Sequence, residues 1–143
     1  MTAPRIAIVA ISDVALDVAA HERAVEDRAA GAVVVFRGVV RDHDAGRDVT
    51  ELEYEGHPSA TTVLGDVANE IADKHPGVIA IAVSHRVGRL AIGDIAIVAA
   101  VSAAHRGEAF AACATLVDEA KARLPIWKRQ VFVDGTDEWV NLP

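Results

Sequence analysis

Two apolar runs, "VIAIAVSHRVG" at 78–88 and "DIAIVAAVSA" at 94–103, follow one another with only "RLAIGD" to join them. Both are dense in valine, isoleucine and alanine and have the length of strands. Their join looks like a hairpin, as do several others in the chain. Strands and helices therefore mix without the strict strand–helix alternation that builds a parallel sheet. The expectation is an α+β fold with mixed or antiparallel sheets and two to three helices, in one domain over residues 1–143.

The remaining segments fill that frame. "RIAIVAI" (5–11) reads as a first strand rather than part of a signal peptide. "DVALDVAAHERAVEDRAAG" (13–31) reads as a helix, with Ser12, Asp13 or Asp17 to cap it and Gly31 to stop it. "AVVVFRGVV" (32–40) is a buried strand that runs into "RDHDAGRD", a polar, mobile loop. "VTELEYE" (49–55) alternates, so Glu51, Glu53 and Glu55 line a solvent face. Helices are expected from Ser59 to His75 and from Arg106 to Arg123, the second stopped by Pro125. "IWKRQVFVD" and "DEWVN" close the chain as strands around the turn "DGTD".

Composition narrows the function. At 52% hydrophobic residues the chain is a compact globule, not a disordered one. A formal net charge of −7 argues against nonspecific binding to nucleic acid or anionic membranes. The longest apolar run, Ile95 to Val101, is far below the ~20 residues of a membrane helix. The single Cys113 cannot form an intrachain disulfide, which suits a reducing cytoplasm. Walker, GxGxxG, HExxH and GxSxG patterns do not occur, so nucleotide, zinc-protease and serine-hydrolase readings lack support.

Against this acidic background, "KARLPIWKRQ" (121–130) concentrates four cations within nine positions. Phe110, Ala114, Val117, Lys121 and Leu124 recur at helical spacing, which puts Lys121 within an apolar stripe. Its amine either snorkels into solvent or sits partly desolvated, ready to act as a nucleophile or proton donor. Lys128 and Arg129 alternate on a strand, so at most one shares a pocket with Lys121, and the turn at Pro125 favours Lys128. His105 and Arg106 stand where a strand meets a helix N-terminus, a position suited to an anion; as isolated residues they are equally surface donors. Arg41 has the same two readings, solvated loop residue or phosphate clamp. Asp42, His43 and Asp44 lack metal-ligand spacing. Cys113, inside a helix, reads as a small buried hydrophobe.

Taken in order, "GAVVVFRGVVRDH", "LEYEGHPSA", "SHRVGRLAIGD", "SAAHRGEAF", "DEAKARLPIWKRQ" and "WV" resemble the large, catalytic subunit family of molybdopterin synthase, the MoaE family. The resemblance runs from about Val33 to Val140. It implies an α/β-hammerhead-like fold and no resident cofactor or metal. It further implies a small ubiquitin-like partner whose C-terminal glycine thiocarboxylate supplies sulfur. That sulfur moves twice onto cyclic pyranopterin monophosphate, forming the dithiolene of molybdopterin. Two copies of this subunit would pair, with one small subunit at each end and a pocket drawing on both large chains. By matching position, Lys121 is the principal catalytic lysine and Lys128 the second. Arg41, His105 and Arg106 match substrate-phosphate or pterin contacts, and Phe36 matches a pocket aromatic. The backbone of Val39 and Val40, with Arg129 and Gln130, lies beside them. Two rivals stand outside this class: a noncatalytic scaffold for a ubiquitin-like tail, and a single-strand nucleic-acid binder built on Trp127, which the net charge disfavours.

Overall fold

The computed structural model describes residues 3–141, which form two sheets and three helices. The first sheet has the strand order β1 (Arg5–Ser12), β5 (Val78–Arg86), β7 (Ile95–Ala103), β2 (Ala32–Val39). Only β1 and β5 run parallel; β5–β7 and β7–β2 are antiparallel. The second sheet has the order β3 (His43–Asp44), β4 (Arg47–Gly56), β8 (Ile126–Phe132), β9 (Asp137–Asn141), with β6 (Gly88–Leu90) also paired to β4. The mixed α+β expectation is met, and "RLAIGD" does more than join two strands. Its first residues complete β6, which carries the chain from β5 of the first sheet into the second, where it pairs with β4 through Leu52↔Leu90 and Tyr54↔Gly88.

Side-chain size follows the layers. The outer face of the central strands carries Ala80, Ala82 and Ala100 under the short helix α1 (Val18–Ala24). The opposite face carries Ile81, Val83, Ile97 and Val101, covered by α2 (Ala60–Lys74) and α3 (Arg106–Arg123). Burying such branched side chains supplies most of the driving force, at roughly 25 cal/mol per Å² of apolar surface. No helix among the described residues is long and apolar enough to cross a membrane.

Four expectations need correction. β2 is a strand but not a buried one, since Val33, Phe36 and Val39 are 41%, 37% and 50% exposed. The helix over 13–31 is only Val18–Ala24, capped by the Asp17 carboxylate, which accepts from the Ala20 N–H at 3.0 Å. Past its end the Asp27 carboxylate accepts from the Ala29 N–H at 2.9 Å, and the Arg5 guanidinium donates to the carbonyls of Ala24 (2.7 Å) and Glu26 (3.1 Å), acceptors a longer helix would use. The loop at 41–48 is a β3–β4 hairpin turning on Ala45 (φ 50°) and Gly46 (φ 79°), the two left-handed residues that a tight two-residue connection requires. Lastly, the buried face of α3 is Ala109, Ala112, Cys113, Leu116, Val117 and Ala120. Phe110 is 61% exposed, so the stripe that contains Lys121 flanks the core instead of facing it.

Gly31 fixes the approach of β2 to the end of β7. Its N–H donates to the Ala103 carbonyl at 3.0 Å, and a Cβ there would lie 2.4 Å from the Ala104 carbonyl oxygen. Backbone cannot swing aside as a long side chain does. Gly31→Ala is expected to destabilise the fold by about 1–3 kcal/mol. Urea unfolding checks this through a lower midpoint at unchanged slope.

Candidate functional site

α3 delivers Lys121 in its last turn, and Pro125 then turns the chain into β8. β8 runs antiparallel to β4, which sets Lys128 opposite Tyr54 and Gln130 opposite Leu52. Alternation along β8 sends Lys128 and Gln130 inward and Trp127 and Arg129 to the other side. The inward residues line a cavity of about 330 Å³ with Lys121 from α3. Val39, Val40 and Arg41 form another wall, and the β3–β4 hairpin adds His43 and Asp44. Two lysines from separate elements, with one arginine, thus face a single carboxylate. A larger depression of about 460 Å³, lined by Glu55, Gly56, His57, Pro58, Trp127 and Trp139, carries no lysine or arginine.

The electrostatics are those of an anion site. Burial lowers the Lys128 pKa from its usual value; Lys121 and Arg41 push it further down, while Asp44 and Glu138 oppose them. Asp44 is held below the usual carboxylate range, first by the hydrogen bond from Gln130 and then by Lys128 and Arg41. Behind the cavity, Tyr54 packs edge-on against His85, with ring centroids 5.0 Å apart at 80°. Burial drops the His85 pKa to about 4; the Arg86 carbonyl opposes this and Lys121 adds to it. His85 is therefore neutral near pH 7, and its Nδ1–H donates to the Arg86 carbonyl at 2.7 Å. Burial also raises the Tyr54 pKa. This wall adds no competing charge.

The other residues singled out from the sequence lie elsewhere on this chain. Arg129 is a correction: it sits on the opposite face of β8, where its Nε donates to Asp137 at 2.7 Å. Phe36 lines a separate apolar groove of about 380 Å³ with Val34, Phe110, Cys113 and Val117. His105 and Arg106 are exposed at the start of α3. His105 is the N-cap yet makes no side-chain capping bond. Fifteen residues of helix separate Arg106 from Lys121, about 22 Å at 1.5 Å per residue. One chain cannot apply both to the same small molecule.

Leu52, Tyr54, His43, Asp44 and His85 were not singled out as site residues. The first two were legible from the alternation that put Glu51, Glu53 and Glu55 on the wet face. His21, which shows no partner in sequence, is buried with its Nε2 2.7 Å from Ser84 Oγ. Among the described residues no cluster of His, Cys, Asp and Glu is arranged to hold a metal ion.

Cys113 is 3% exposed, and burial raises its thiol pKa to about 11, with the Phe36 backbone opposing. A protonated, enclosed thiol is a poor sulfur acceptor. Cys113→Ser is expected to keep any sulfur-transfer activity within a few-fold, measured as initial rates on folded protein. Abolished transfer would route sulfur through this side chain.

The chain is similar to known proteins over most of its length. The family model described as MoaE protein matches residues 11–123. A molybdopterin synthase catalytic subunit from a Nostoc species is 41% identical over 118 residues, which are 82% of this chain and 72% of that protein. Molybdopterin synthase catalytic subunit 1 of Mycobacterium tuberculosis is 45% identical over 112 residues, 78% of this chain and 75% of that protein. The crystal structure of molybdopterin synthase from Staphylococcus aureus superposes with a TM-score of 0.85 at 35% identity, covering 91% of this chain and 94% of that one. The family match includes Lys121 and stops short of Lys128.

Proposed function

Because the chain belongs to the MoaE family, we propose that it is the catalytic subunit of a molybdopterin synthase. In this reading a small ubiquitin-like partner threads its C-terminal tail toward the lysine cavity. The thiocarboxylate sulfur attacks a side-chain carbon of cyclic pyranopterin monophosphate, and a C–O bond of the substrate breaks as the C–S bond forms; repeated once, this gives the dithiolene. Water then attacks the acyl carbon of the resulting thioester and breaks the acyl–sulfur bond, which leaves sulfur on the pterin and an ordinary carboxylate on the partner. The chain acts as one domain in the cytoplasm, and sulfur arrives on the partner rather than on Cys113.

The observation that carries the proposal is the meeting of Lys121 and Lys128, from two elements, with Arg41 in one cavity of an otherwise acidic protein. Both the thiocarboxylate and the substrate phosphate are anions, and like charges brought together need local cations between them. The partly buried Lys128 ammonium strengthens that attraction, and its lowered pKa makes its proton easier to donate. Lys121 and Lys128 are assigned the chemistry, while Arg41 and Gln130, with the Val39–Val40 backbone, hold the substrate. His105 and Arg106 are assigned to the substrate phosphate from the second copy of a homodimer. Phe36 and its groove flank that contact.

The deciding experiment mixes the purified chain with thiocarboxylated partner and the cyclic monophosphate, and follows dithiolene formation. Conversion with two sulfurs incorporated per pterin is expected. A chain that binds the partner's tail and forms no dithiolene is a scaffold instead, and the enzymatic assignment fails.

A further inference from the structure

Asp42, His43 and Asp44 showed no ligand spacing in the sequence, yet the hairpin brings Asp44 into the cavity wall. Backbone bonds hold the hairpin at its base and to the residue after β8. The Val49 N–H donates to the Asp42 carbonyl at 2.8 Å, and the Val133 N–H donates to the Asp48 carbonyl at 3.0 Å. Arg47, the strand partner of Asp44, turns away: its guanidinium lies 3.6 Å over the Phe132 ring and donates to Thr136 at 2.7 Å. Asp44 is thereby left to face the cavity cations. Its Oδ2 accepts from Gln130 Nε2 at 2.7 Å, and its Oδ1 accepts from Arg41 Nη2 at 3.4 Å. Gln130 is 3% exposed, so its amide is a rigid support.

We infer that Asp44 is the internal counter-ion of the lysine cavity, pairing with Arg41 and Gln130 in the resting site and competing there with an incoming anion. Lys128 is faced by Lys121 from α3, Tyr54 from β4, Arg41, His43 and Asp44 at the hairpin, and Glu138 from β9. Of these only Asp44 and Glu138 are anionic, and Gln130 Nε2 bridges the two, 3.1 Å from Glu138 Oε1. Asp44 is the one that lines the cavity. It therefore both steadies the Lys128 ammonium and repels anions from the cations beside it. An arriving phosphate or thiocarboxylate takes over the pairing, which sets a threshold against weak anions and favours ligands of higher charge.

This inference rests on the proposed anion site but is tested without sulfur transfer. The chain has three lysines, Lys74, Lys121 and Lys128, so carbon-13 lysine NMR resolves each titration. In Asp44→Asn, which keeps the shape and removes the charge, Lys128 is expected to titrate at lower pH while Lys74 does not move. Inorganic phosphate should bind about three- to tenfold more tightly, the effect of removing one nearby like charge in a half-solvated site. Should Asp44→Asn fold poorly, Asp44→Ser removes the same charge. An unmoved Lys128 overturns the inference, as does phosphate bound by wild type and no more tightly by the variant. If wild type binds no phosphate, the anion-site reading fails, and the Lys128 titration alone decides on Asp44.

Discussion

Lys121→Ala is expected to lose about 10²–10³-fold in dithiolene formation, the range set by removing a positioned proton donor or charge. The melting temperature should stay within a few degrees of wild type. The stability side follows from where the residue stands. Lys121 is half-buried in the last turn of α3, and alanine is at least as good a helix former. Removing a cation from a helix C-terminus costs about 0.3–1 kcal/mol, and relief of repulsion with Lys128 offsets part of that. Arg123 supplies the control. It occupies the same turn but pairs with Glu70 and Glu119 outside the cavity, so Arg123→Ala should keep its turnover. Initial rates beside thermal melts read both quantities. Near-normal turnover in Lys121→Ala would remove it from the chemistry.

The contrast between these two cations shows what the sequence held and what it did not. The longer strands and the helices followed from residue type, because β-branched runs and the stop at Pro125 act locally, while the short β3 and β6 did not. Alternation separated Lys128 from Arg129, and the turn at Pro125 chose Lys128 for the cavity. Where α1 ends was not fully legible, since one partner of its free carbonyls is Arg5, nineteen residues from Ala24 in sequence and brought there by the fold. Helical spacing in α3 found the flank carrying Lys121, but the core is built on small residues such as Ala112 and Ala120, which a search for large apolar side chains passes over. Asp44 and His85 enter the site only through β3–β4 pairing and packing on Tyr54. A one-dimensional pattern holds neither contact.

The distance along α3 gives the second large effect. Arg106 and Lys121 stand at opposite ends of one helix, so a site that uses both must draw them from two chains. Arg106→Ala is expected to weaken binding of the cyclic monophosphate by about ten- to a hundredfold, the worth of a charge-assisted bond to a partly buried anion. Binding of the partner's tail, which engages the lysine end, should change much less. Arg106→Ala and Lys121→Ala homodimers should each turn over poorly. In a mixed dimer one pocket collects both defects and the other collects none, so a 1:1 mixture should regain activity as subunits exchange. Random exchange makes half of the dimers mixed, each with one intact pocket of two, so recovery should approach a quarter of wild-type activity. The measurement is turnover against incubation time, with exchange followed independently by mass-tagged chains. Full exchange without recovered turnover would mean that one chain's residues build each pocket, and the assignment of His105 and Arg106 to the substrate phosphate would fall with it.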